Sequence, residues 1–344
     1  MTAPPPGPPP GWTGQTPYWG PSYPPGYPPP GYPGYPPPGY SYPGYPAAWQ
    51  PGVIPLRPLS LSDIFNGAVG YVRAYPKPTL GLTAAIVVIT SVIGVFARLA
   101  ATRANGDVAS AAGVVAAATT TVLANTLLSG MLTVIVARAV RGLPITIGEA
   151  WQRVRGRLAA LVGLTLLEFT AMAALGFVAV LALLSLARNG GLAVAALIGI
   201  PVVLGLIAVV AYLYGTLALA PVAIVLERKS VTQSVRRSFT LSNNRFWRII
   251  GTLLLAGLVT TLVSAAVSIP FDVVGALLSA GSGPKPTVAT TAMAAIGQGV
   301  GQIVTAPFVA GVVTLLYVDS RIRTEAFDFT LRNAPAQDDV WPLP

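Results

Sequence analysis

Histidine and cysteine are both absent from this 344-residue chain. No disulfide, thiolate nucleophile, Ser–His dyad or Cys–His dyad can form, and the commonest metal ligand and general base are missing. Charge is also scarce. Only 9% of residues are Asp, Glu, Lys or Arg, against about 25% in an ordinary soluble domain. Lysine occurs only as Lys77, Lys229 and Lys285. No glycine-rich phosphate loop appears between a strand and a helix, and no strands are expected. The expectation is a chain that is not an enzyme and holds no metal or cofactor.

What is abundant is apolar length. Hydrophobic residues make up 53% of the sequence, and mean hydropathy is +0.66. Several runs reach the ~20 residues needed to cross a bilayer core. The formal charge is +10, and the arginines border the apolar runs. That placement points to membrane topology and anionic headgroups rather than nucleic acid, for which no motif is present.

Residues 1–55 form a Pro/Gly/Tyr-rich stretch with no charged residue. Proline removes donors, and no apolar periodicity offsets the entropy of ordering. This reads as a disordered cytoplasmic tail, either a spacer or a set of tyrosines that recruits protein partners. A membrane domain follows over 56–331, then a C-terminal tail over 332–344.

Three helix-start signals punctuate the membrane domain. Ser60-x-x-Asp63, Thr146-x-x-Glu149 and Ser230-x-x-Gln233 are capping boxes about 85 residues apart. In each, a hydroxyl accepts a backbone N–H while the side chain three residues on reaches back. Gly130, Gly215 and Gly301 recur at the same interval in the second long helix of each unit. Fixed-period similarity predicts three copies of one unit, over about 60–138, 146–226 and 230–318. Each copy is a short amphipathic helix on the cytoplasmic surface, a helix out and a helix back. The fold class is thus an all-α polytopic protein of six transmembrane helices in three repeated hairpins. Spans are expected near 80–99, 112–137, 159–186, 192–226, 249–274 and 292–318. Arg188 to Gly191 is expected to turn the middle hairpin, and the residues from Asp319 onward to leave as a charged tail. Gly297-x-x-x-Gly301 reads as a close-packing face.

With both termini inside, seventeen of the 21 basic residues fall on the cytoplasmic side, as the positive-inside rule requires. The expected location is the plasma membrane. Arg153, Arg155, Arg157, Arg236, Arg237, Arg245 and Arg248 are candidate topology anchors or ligands for anionic lipid headgroups. Glu168 lies in the middle of the third span, where an ionisable group is costly and marks a candidate site. Gln298, Gln302 and Asn125 are its expected polar partners.

The stretches VIPLRPLSLSDIFNGAVGYVRAYPKPTLG, LALAPVAIVLERKSVTQSVRRSFTLSNNRFWRIIG and LLYVDSRIRTEAFDFTL resemble the membrane domain associated with glycerophosphoryl diester phosphodiesterases. With the Pro/Gly/Tyr tail, the chain is similar to mycobacterial and other actinobacterial proline- and glycine-rich transmembrane proteins. The resemblance covers roughly Val53 to Leu331. In some relatives this part adjoins a phosphodiesterase barrel that needs histidines and metal-binding carboxylates. None of that barrel is present here, so the resemblance implies no enzyme activity. Two functions stay open. One is a non-catalytic protein that organises lipids or partner proteins at the inner leaflet. The other is a small transporter or lipid-handling protein with a polar site around Glu168. A tightly packed bundle favours the first, and a polar cavity open to one side favours the second, as transport would need.

Overall fold

A computed structural model describes residues 52–103, 107–243, 245–280 and 287–333. Residues 1–51 of the tail expected over 1–55, and the last eleven residues, lie outside the described residues. Among those described there are helices and no strands. They run α1 (Leu61–Ala74), α2 (Pro76–Arg103), α3 (Asp107–Val140), α4 (Ile147–Arg155) and α5 (Leu158–Leu217). The series continues with α6 (Ala220–Leu226), α7 (Val231–Ser242), α8 (Phe246–Leu278), α9 (Val288–Glu325) and α10 (Phe327–Asn333). Six helical segments are long and apolar enough to cross a membrane.

The capped helices α1, α4 and α7 each precede a pair of these segments and gather at one end of the bundle, called here the collar. Ser60 N–H donates to Asp63 Oδ2 at 2.9 Å while Asp63 N–H donates to Ser60 Oγ at 3.1 Å. Thr146 and Glu149 repeat the exchange. At the third box Ser230 N–H donates to Gln233 Oε1 at 3.2 Å.

The middle hairpin differs from expectation in its turn. Helical backbone continues through residues 188–191 to Leu217, yet the chain reverses. A Cβ placed on Gly199 would stand 3.1 Å from Leu183 Cδ2. In a straight helix those two residues would be about 24 Å apart. Two arms of α5 therefore lie side by side. The second arm ends at Leu217, and α6 resumes with Pro221 in its first turn, where a missing N–H costs nothing. Its Ala220 and Val222–Leu226 are buried.

α9 is the central helix. It packs against α1, α2, α3, α6, α7, α8 and α10, and half of its most apolar window is buried. The corresponding windows of both α5 arms are only 6% buried. Small residues permit the close approaches. Gly297 meets the Ser268 backbone and Gly301 meets the Ser264 backbone on α8. Gly130 and Gly215, a repeat apart, play matching roles. The first faces Leu161 and the second faces Phe246 and Ile250, each on the helix of the next unit.

Three expectations need correction. Helix α1 does not merely lie on a membrane. Ile64, Ala68 and Tyr71 are fully buried, and Tyr71 O–H donates to the Pro307 carbonyl on α9. The boundary expected at residue 55 falls inside packed structure, because Ile54, Leu56 and Leu59 belong to the core. Gly52 explains how the chain gets in. A Cβ there would sit 2.2 Å from the Ala139 carbonyl oxygen and 2.4 Å from that of Val140. The expected charged tail after Val318 is instead helix, and Asp319 and Arg321 are buried. A left-handed Ala326 (φ 50) then turns α10 back, so that Phe327 and Leu331 join the core.

Two buried carboxylates hold the collar. Asp319, only 2% exposed, accepts from the Leu59 N–H at 2.8 Å and from Arg323 Nε at 2.7 Å. Arg248 Nη2 pairs with its other oxygen at 3.3 Å. The two arginines also donate to the Leu59 carbonyl, at 2.7 Å from Arg323 and 2.5 Å from Arg248. Glu227 gathers Lys229 Nζ at 2.7 Å, Arg237 Nη2 at 3.1 Å, Arg321 Nη1 at 3.5 Å and the Tyr317 hydroxyl. Burial pushes the Glu227 carboxyl up. The hydrogen bonds from Lys229 and Tyr317 and the charges of Arg237 and Arg321 outweigh it, leaving the pKa below its ordinary 4.5.

A carboxylate held low stabilises the fold above its unfolded pKa and loses that contribution as pH falls through the folded value. Glu227→Gln is therefore expected to cost about 3–5 kcal/mol at neutral pH. It should also flatten the fall in thermal midpoint below about pH 4.5. Equal acid slopes for the two proteins would contradict the role given to Glu227. Gly52→Ala should lower the thermal midpoint by the equivalent of more than about 2 kcal/mol. Gly251→Ala, with nothing within 4 Å of the new Cβ, should leave it nearly unchanged.

Candidate functional site: an intramembrane cavity

The weak burial of α5 has a counterpart in space. Between its two arms, α3, α8 and α9 lies a cavity of about 990 Å³, at the top of the range of ~300–1,000 Å³ usual for ligand pockets. Its wall is mostly aliphatic, with Leu128, Leu132, Met172, Leu217, Val309 and Val313 among the lining residues. Glu168, Phe169 and Met172 from the first arm face Leu213, Tyr214 and Leu217 from the second across the same space. A straight α5 would put Glu168 and Tyr214 about 69 Å apart, which again requires the reversal. Phe169 and Tyr214 are more than half exposed, so the cavity opens sideways toward the lipid beside α5.

Three of the four polar residues expected at this depth meet here. Gln302 Nε2 donates to Asn125 Oδ1 at 2.7 Å across α9 and α3, and Glu168 lines the same cavity. By helical rise Glu168 stands about 15 Å from the start of α5, close to the middle of a ~30 Å hydrocarbon core. Among the described residues no hydrogen bond or ion pair holds its carboxyl. Gln298 does not join them. It is exposed and outside the cavity lining, because α9 at that level presses Gly297 against Ser268 and Phe271 of α8 and closes the gap.

Hydroxyls that the sequence reading passed over complete the wall. Ser264 and Ser268 on α8, Ser129 and Thr133 on α3, and Thr305 on α9 all line the cavity. Their spacing carried a signal. Thr261, Ser264, Ala265 and Ser268 repeat at the interval of one helix face. Several hydroxyls donate along their own helix, as Ser129 does to Thr126 O at 3.0 Å and Thr305 to Gly301 O at 2.9 Å. Among the described residues no lysine or arginine lines the cavity.

The candidate headgroup arginines divide. Arg237 and Arg248 belong to the carboxylate clusters already described, and Arg245 Nη2 donates to the Arg323 carbonyl at 3.5 Å. These three hold the collar together. Arg155 and Arg236 are exposed, while Arg153 and Arg157 are half-buried. Arg153 shares a small pocket with Arg138 and Arg228.

No curated protein and no solved structure matches the sequence. One family model does match, over residues 59–320. The matched region begins at the residue whose backbone clamps Asp319 and ends just beyond Asp319 itself. It contains all three capped helices and the whole cavity. The chain belongs to the family described as a domain of unknown function, DUF7847.

Proposed function

We propose that this multi-pass membrane protein binds a lipid-like amphiphile within the bilayer and handles it through the cavity at Asn125, Glu168 and Gln302. The single observation that supports this reading is the cavity itself. It combines an aliphatic wall, polar residues at Asn125, Glu168 and Gln302, and exposed side chains at Phe169 and Tyr214 on the α5 side. A protein that only organised partners would have no use for such a space. Leaving it unfilled forfeits the packing that a closed bundle would gain. The collar is proposed to be cytoplasmic, in line with the basic residues concentrated there. The exposed Arg155 and Arg236 are placed to attract anionic lipid to that face.

Native mass spectrometry of the full chain released from mild detergent tests the proposal. About one bound amphiphile per chain is expected. Thr261→Trp, which projects from an open stretch of the α8 wall into the cavity, should lower that occupancy at least roughly ten-fold. Leu262→Trp, on the exposed side of the same helix, should leave it unchanged. An unliganded protein, or equal occupancy in the two variants, would contradict the reading.

A further inference from the structure

The wall of the cavity says what kind of head it takes. A phosphate or carboxylate head only accepts hydrogen bonds and carries negative charge. Among the described residues it would meet the Glu168 carboxyl and no Lys or Arg side chain in the lining, and burying it unpaired is prohibitive. An ammonium head only donates. It would satisfy Glu168 but leave the Asn125 amide N–H groups and the hydroxyls of Ser264 and Ser268 without an acceptor, and the ion pair would bear a large desolvation penalty.

A hydroxyl does both. It can donate to Glu168, to the Gln302 carbonyl oxygen, or to Ser129 and Thr305, whose own protons are already committed to their helices. It can accept from Asn125, whose Oδ1 is engaged by Gln302 while its N–H groups are not, and from Ser264 and Ser268. We infer that the cavity selects a lipid with an uncharged, hydroxyl-bearing head, held by the Asn125–Gln302 pair and Glu168 with its chains along the aliphatic wall. This rests on the lipid-binding reading above and sharpens it to one class of head. Access is lateral, past Phe169 and Tyr214, so such a lipid need never leave the bilayer.

The test uses the full chain in phosphatidylcholine nanodiscs with three photoreactive probes sharing the same acyl chains. They are a diacylglycerol, its phosphate monoester and an amine-headed analogue. The diacylglycerol probe is expected to crosslink to α3, α5 and α9 at least ten-fold more strongly than either of the others. Asn125→Leu/Gln302→Leu removes both partners of one hydrogen bond by near-isosteric apolar groups, which spares the fold. It should cut that labelling about ten-fold with unchanged elution on size exclusion. Glu168→Gln keeps an acceptor and should cut it less than about three-fold. Equal or stronger labelling by the phosphate probe would overturn the inference. So would a preference for the amine probe that disappears in Glu168→Gln, or unchanged labelling in the double variant. In all of those outcomes lipid binding itself survives. If no probe labels the cavity, the lipid-binding reading fails as well.

Discussion

The carboxylate of Asp319 is the constraint on which the rest of the bundle depends. It sits near the end of the central helix, almost wholly removed from solvent, and it is bound from three directions. The Leu59 backbone brings in the segment before α1. Arg248 brings in the first long helix of the last unit, and Arg323 closes the turn on α9 itself. A charge in that position is tolerable only when every partner is present. Removing one member of such a cluster typically costs about 3–5 kcal/mol. Glu227 does the same for the middle unit, tying the end of α6 to α7 and α9 through Arg237, Tyr317 and Arg321. The three units are therefore fastened at one end, by polar bonds whose partners are far apart in sequence.

Fastening at one end leaves freedom at the other. Near the collar the α5 arms meet their neighbours closely, where Gly130 and Gly215 let Leu161, Phe246 and Ile250 approach, and Thr165 on the first arm reaches Thr126 of α3 at 2.9 Å. Farther along, α8 and α9 keep each other covered through Gly297 and Gly301, and α2 meets α9 at Gly299. Among the described residues the middle hairpin shows no such partner beyond that of Thr165. Its large apolar side chains, among them Phe169, Phe177, Leu197 and Leu204, face outward. In water this would be untenable, but lipid tails are as apolar as a protein core. The cavity is thus a consequence of uneven packing, and its polar wall is what gives it a chemical preference.

Much of the architecture was legible in the sequence, because it rests on local chemistry. The capping boxes at Ser60, Thr146 and Ser230 and the long apolar runs are short-range signals, and the structure keeps them. Asn125, Glu168 and Gln302 were legible because a polar side chain inside an apolar run stands out. What was not legible depends on which helices become neighbours. Asp319 looked like the start of an exposed charged tail, although Arg323 one helical turn later offered a hint of its first ion pair. Arg237 and Arg248 looked like headgroup ligands because their acidic partners lie elsewhere in the chain. Gln298 shares a helix face with Gln302, yet it stands beyond the level at which α8 closes on α9. Ile54 looked like the end of a low-complexity tail, since nothing local reveals that Gly52 threads between two backbone carbonyls.

The central claim is that the space between α5 and the rest of the bundle is an open cavity that takes up lipid. The absence of native cysteine makes it directly measurable, with a single nitroxide attached at Thr261→Cys on the cavity wall. The account predicts frequent collisions with membrane-dissolved oxygen, few with a water-soluble nickel chelate, and mobility that falls when a hydroxyl-headed lipid is added. A label that is immobile and shielded from both reagents would mean a closed, packed bundle, and would contradict the account.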